Sequence, residues 1–201
     1  MNIDVMDVWK QTREVLALRR EDPDEAYRRL VSLYTGYLSG DLSPGDRGHL
    51  MSEFASMQSL LDRKDEARAT VDQSLELFPN SVVTLLHASN FFTYDIAAPE
   101  TAVELAQRAV LLTESDGELT IYALNHLCRI ARRACRFDVM SHAMKRLLAT
   151  PPRAGLPMQH IECDYLKSLP ENAVPPPLVQ ALLARARPTR DAGDGQTFSG
   201  T

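Results

Sequence analysis

Four octets, PDEAYRRL, KDEARATV, PETAVELA and FDVMSHAM, recur along the chain with Ala26, Ala67, Ala102 and Met140 in their fourth places. Those positions are 41, 35 and 38 residues apart, which is close to the length of one helix-turn-helix unit, so the chain is expected to be an array of stacked hairpins. This spacing limits the fold more than any composition figure does. A unit of that size cannot bury its apolar face alone and must lean on its neighbours.

Glycine and proline fall between periodic apolar segments rather than inside them, which is how helix ends are marked. The first helix is expected from about Asp4 to Arg20, with Val5, Val8, Trp9, Thr12, Val15 and Leu16 on one stripe. Asp22-Pro23 opens a second that reaches Leu38, and SGDLSPGDRG, residues 39 to 48, reads as a loop in which Ser43-Pro44 starts a third. The third carries Leu50, Met51, Phe54, Met57, Leu60 and Leu61, and RKDEARATVDQSLELFPN at 63 to 80 holds the fourth. Helices follow near 81–94, 99–114, 117–134 and 137–150, separated by Asn80, Pro99, Gly117 and Arg136. No sustained alternation of apolar and polar residues marks a strand, so the reading is all-α. Beyond Pro151-Pro152, PMQHIECDYLKSL is expected to form one short helix, ENAVPPP a linker, and LVQALLARAR a last helix with Leu178, Val179, Leu182, Leu183 and Ala186 on one face. That helix is expected to cap the open end of the stack. One helical domain over 1–187 and a flexible tail over 188–201 result.

Within residues 48–152 the pattern resembles tetratricopeptide repeats, in which a large residue, a bulky-small pair and an aromatic on one helix precede Ala, an aromatic and a terminal Pro on the next. In the first such hairpin the positions fall on Met51, Phe54-Ala55, Gln58, Ala67, Val71 and Pro79; in the second on Leu85, Ala88-Ser89, Phe92, Ala102, Ala106 and Glu114; in the third on Leu124, Leu127-Cys128, Ala131, Met140, Met144 and Pro152. The resemblance implies a right-handed stack of antiparallel helical hairpins, an α-solenoid. Its short side chains, Ala55, Ser89, Cys128, Ala67 and Ala102, sit where helices must approach closely. An irregular helical bundle is the competing architecture.

Function classes are narrowed mainly by what motifs are missing. No phosphate-cradling glycine loop, G-x-S-x-G elbow or H-E-x-x-H pair occurs, so a non-enzymatic protein without cofactor is expected. His126 and Cys128 lie two apart on a helix and point different ways, a poor metal pair, and Cys128 and Cys135 are expected to fill the core seven residues apart. Asp62, Asp65 and Glu66 suit a turn and a helix N-terminus better than acid-base work. Three cysteines without framework spacing and an acidic N-terminal segment suggest a reducing, cytoplasmic setting, and no apolar run suits a membrane span.

Charge gives the sharpest functional hint. The chain has net charge -5, yet residues 118–150 hold Arg129, Arg132, Arg133, Arg136, Lys145 and Arg146 against Glu118 and Asp138. At 100° per residue, Tyr122, Asn125, Arg129, Arg132 and Arg133 share about a third of one helix's circumference. This stripe either faces solvent on the outside or lines the inner surface. Tetratricopeptide arrays line that surface with the first helix of each hairpin, which would add Asn90, Thr93 and Tyr94, and His49, Ser52 and Ser56 from the hairpin before. The expected partner-binding set is Asn90, Tyr94, Tyr122, Asn125, Arg129, Arg132 and Arg133, taking a protein or peptide segment that is acidic or ends in a carboxylate. It partly resembles the carboxylate-clamp subset, with Asn and Arg present and the inner Lys absent. Two other readings stay open: an inhibitor or immunity-type protein covering a basic partner with its acidic remainder, and RNA binding through the arginines, disfavoured by scarce stacking aromatics. A homodimer through terminal helices is also open.

Overall fold

The computed structural model describes residues 5–114, 119–151 and 160–186, without the side chains of residues 5–7, 9, 167 and 168. The expected roles of Val5, Trp9, Glu118, Pro152 and the 188–201 tail therefore lie outside the described residues.

The described chain is helical and without strands. Its α-helices are α1 (Val5–Ala17), α2 (Pro23–Leu38), α3 (Pro44–Leu60), α4 (Lys64–Leu77), α5 (Val82–Tyr94), α6 (Pro99–Leu112), α7 (Thr120–Arg133), α8 (Phe137–Ala149) and α9 (Pro176–Ala186), with 3-10 turns at Leu18–Arg20 and Asp164–Ser168. Short polar side chains start several of them. The Asp22 carboxylate accepts from the Glu25 N–H at 2.9 Å and Ser43 Oγ from the Asp46 N–H at 3.1 Å, each followed by a proline that needs no hydrogen bond at the first helical position.

Three hairpins, α3–α4, α5–α6 and α7–α8, each close through a turn with one left-handed residue, and the α5–α6 turn is one residue wider than the other two. Asp62, Ala97 and Cys135 take positive φ values of 61°, 55° and 56°. The next residue in each case donates back to the helix it left: Arg63 to Gln58, Ala98 to Phe92 and Arg136 to Ala131. This corrects one expectation, because Cys135 is exposed rather than part of the buried stripe. Helical spacing fails there because the chain has already left α7. Cys128 is buried as expected, and burial pushes its thiol up to about 12.

Consecutive hairpins pack helix against helix. The two helices of each hairpin pair closely, and each following first helix meets the second helix before it: α2 with α3, α4 with α5, and α6 with α7. The first helices also touch in a row, α3 on α5 and α5 on α7, whereas among the described residues no pair of α4, α6 and α8 packs comparably. Ala55, Ala67, Ser89, Ala102 and Cys128, the expected small residues, are all fully buried at these crossings. Gly48 is a further close approach: a Cβ there would overlap Thr84 Oγ1 and lie 3.2 Å from Phe78 Cδ2.

Among the described residues, burial divides into two apolar clusters. One gathers Val8, Val15, Ala26, Leu30, Tyr34, Leu50 and Leu61 from α1, α2, α3 and the residue after it, and the other runs from Ala55 to Leu182. Helix α3 serves both, and the Tyr34 and Phe54 rings stack at 4.9 Å within the first. At the far end α9 lies on α8 through the fully buried Leu182, and the Arg185 guanidinium donates to the carbonyls of Leu147 (2.7 Å), Leu148 and Thr150. The carbonyls left open at the end of α8 are closed this way.

Residues 160–163 differ from the sequence expectation. They are not helical; only the 3-10 turn at Asp164–Ser168 is. ENAVPPP also proves more than a spacer, since Val174 is buried in the second cluster and α9 already begins at Pro176.

Candidate functional site

The first helices α3, α5 and α7 carry polar side chains along the row in which they touch. Each contributes one histidine at nearly the repeat interval: His49, His87 and His126. His49 Nδ1 lies 3.1 Å from His87 Nε2, and its Nε2 faces Glu53 Oε1 at 3.4 Å. The Glu53 carboxylate raises the His49 pKa above the usual imidazole range, while burial and then His49 itself lower that of His87.

On the next pair of helices the hydrogen bonds fix a tautomer. Ser89 Oγ donates to the Leu86 carbonyl at 2.8 Å, so the 2.6 Å contact with His126 Nε2 must be the imidazole N–H donating to Ser89. That leaves His126 Nδ1 bare to accept from Arg129 Nη2 at 3.4 Å. A neutral ring is required, and burial, followed by the Arg129 and His87 charges, holds the His126 pKa down to about 3.

Arg129 turns its other nitrogen outward. Arg129 Nη1 meets Glu162 Oε2 at 3.2 Å, with the two side chains 39% and 26% exposed. Beside it Asn125, 1% exposed, is wholly engaged by the chain's own backbone. Its Nδ2 donates to the His160 carbonyl at 2.8 Å and its Oδ1 accepts from the Glu162 N–H at 3.1 Å. Residues 160–162 thus lie across α7 as a short non-helical segment.

The expected binding residues therefore separate into two zones. Asn125 and Arg129 lie under residues 160–162. Tyr94 and Arg133 form an open zone: Tyr94 is 58% exposed, and the exposed Arg133 guanidinium sits 5.4 Å above its ring. Asn90, also exposed, stands one turn before Tyr94 on the same side of α5. Tyr122 is half-buried against the second cluster, and Arg132 is partly exposed.

The arginine row is less available than its formal charge implies. Besides Arg129, Arg136 pairs with Glu100 at 3.1 Å and Asp138 at 3.0 Å, and Arg146 pairs with Glu114 at 2.8 Å. Its positive field is partly neutralised by acids of neighbouring elements, which sequence windows assign to separate stretches. Sequence reasoning also missed His87 and Glu162. The 38- and 39-residue spacing of the three histidines was the one signal that pointed to His87; nothing local pointed to Glu162.

Among the described residues no cluster of three or more His, Cys, Asp or Glu side chains is arranged to hold a metal ion, and no helix is long and apolar enough to cross a membrane. Compared with protein-family models, curated proteins and solved structures, the chain matches none.

Proposed function

We propose that the chain is a right-handed, tetratricopeptide-type stack acting without catalysis, an adaptor or chaperone-like module that holds a peptide or helix of another protein against α3, α5 and α7. One observation carries this reading: the Asn125 amide meets both a C=O and an N–H of one non-helical segment, a contact that reads backbone and suits many sequences. The open zone beside it supplies an exposed aromatic and an arginine, residue types enriched where binding energy concentrates. The partner's favoured charge is negative, because the side chains it meets are Arg129, Arg132 and Arg133.

The test is affinity capture from the native cell using the full chain and a Tyr94→Ala/Arg133→Glu variant, with mass spectrometry of the retained proteins. Both substituted side chains are exposed, so the fold is expected to persist. A partner held by the parent chain and lost by roughly tenfold or more in the variant supports the reading, since a buried aromatic or Arg anchor is worth about 2 kcal/mol or more. Equal retention by both proteins rules out this face.

A further inference from the structure

Resting on that function, we infer that residues 160–162 are a resident competitor: a short acidic segment of the chain itself, seated where an extended acidic segment of a partner binds. The geometry is that of a ligand rather than of a packed helix. In an extended strand the C=O of one residue and the N–H two residues later point to the same edge. Asn125 meets that pair at His160 and Glu162. Any extended segment can present the same edge, so Asn125 selects backbone conformation and not sequence.

Arg129 supplies the side-chain selection. Its partner atom belongs to a glutamate, and both ends of the pair are partly open to water, so another carboxylate can reach the same guanidinium and exchange with Glu162. The internal pair is accordingly replaceable.

The segment is held by Asn125, by the Arg129–Glu162 pair and by packing of Ile161 and Cys163 on the second cluster. Ile161 and Cys163 are half-buried and His160 is exposed. Downstream, Tyr165, Val174 and Leu182 are all buried, and Arg185 closes the end of α8. Displacement of residues 160–162 would leave these downstream contacts of the cap, from Tyr165 to α9, in place. Asn125 itself is almost without solvent exposure. An empty site would leave that amide without protein partners, which favours direct exchange of one segment for another over a standing open state. The binding-competent fraction is small in the resting protein, and affinity for an outside peptide is reduced by that fraction.

The experiment uses the full-length chain and a fluorescent, end-blocked peptide with the sequence of residues 160–165, HIECDY. Weakening the internal segment by Glu162→Lys, or more gently by Glu162→Gln, is expected to tighten peptide binding by about tenfold and to speed hydrogen exchange of the residue-162 amide. Adding Asn125→Ala abolishes the gain. With Arg129→Glu, the acidic peptide is lost and one carrying Lys in place of its Glu is bound, an exchange of preference that a merely structural arginine would not produce. Protection of the α5–α8 amides verifies that each variant is folded. The inference is overturned if Glu162→Lys and Glu162→Gln leave peptide affinity unchanged, whether the segment loosens (a binding face elsewhere) or stays protected (a permanent cap). Loss of captured partner in the Tyr94→Ala/Arg133→Glu variant, with no effect of the Glu162 substitutions, would keep the proposed function and remove the competitor.

Discussion

At the scale of single residues, a glycine and a histidine tie stability to space and to pH. Gly48 lets α3 reach α5 where Thr84 Oγ1 occupies the space a methyl would need. Gly48→Ala is expected to cost about 1–3 kcal/mol from overpacking, outweighing the ~1 kcal/mol that alanine gains over glycine inside a helix. Urea unfolding measures it, and Thr84→Ala in the same chain should restore most of the loss. His126 makes stability depend on pH. Its folded pKa is depressed to about 3 from an ordinary 6.5, so the unfolded chain binds the proton first on acidification. The contribution is complete above about pH 6.5 and is lost as pH falls toward the folded value, at up to about 1.4 kcal/mol per pH unit. His87, also depressed, adds in the same direction. His49 is raised: its contribution is present below its ordinary pKa, is lost as pH rises through the folded one, and partly offsets the others. Denaturant unfolding stepped from about pH 7 to about pH 4.5 should show falling stability, with a shallower slope in His126→Gln.

Helices and their ends are where local sequence and packing divide the work. Proline and short polar caps start α2 and α3 without tertiary help, whereas the end of α8 depends on a side chain thirty-odd residues away, Arg185. Arg185→Met keeps the aliphatic stem and removes the donors, and should destabilise the α8–α9 contact by about 1.5–3 kcal/mol, the usual worth of hydrogen bonds from a charged group. Native-state hydrogen exchange checks this: amides of α9 and the last turn of α8 lose protection while those of α5 and α6 keep theirs. Element boundaries were legible because each hairpin carries its own breaks, and the expected helices near 81–94, 99–114, 117–134 and 137–150 agree with α5 to α8 within a few residues. The expected short helix over residues 157–169 failed at 160–163, since the groups a helix would use, the His160 carbonyl and the Glu162 N–H, are taken by Asn125.

For the whole molecule, two apolar clusters joined through α3 imply that damage stays local. Leu30 is fully buried in the first cluster, and Leu30→Ala should cost about 2–5 kcal/mol there. Hydrogen exchange should then show α1 and α2 opening well below the global unfolding free energy, with α6, α7 and α8 unchanged, as expected when each unit is stabilised mainly by its neighbours. Uniform loss of protection across all helices would indicate a single cooperative core instead.

The sequence by itself determined the helices, their pairing into hairpins and the small residues at their crossings, because those features rest on spacing and steric size within some forty residues. It also named Tyr94, Asn125, Arg129 and Arg133 as one surface. Only the tertiary structure decided that Asn125 and Arg129 are occupied by residues 160–162 while Tyr94 and Arg133 remain open, and that the acids Glu100, Glu114 and Glu162 temper the arginines. Hydrogen bonds and ion pairs between segments 32 to 37 residues apart depend on where the stack brings those segments together, and no helical period records that meeting.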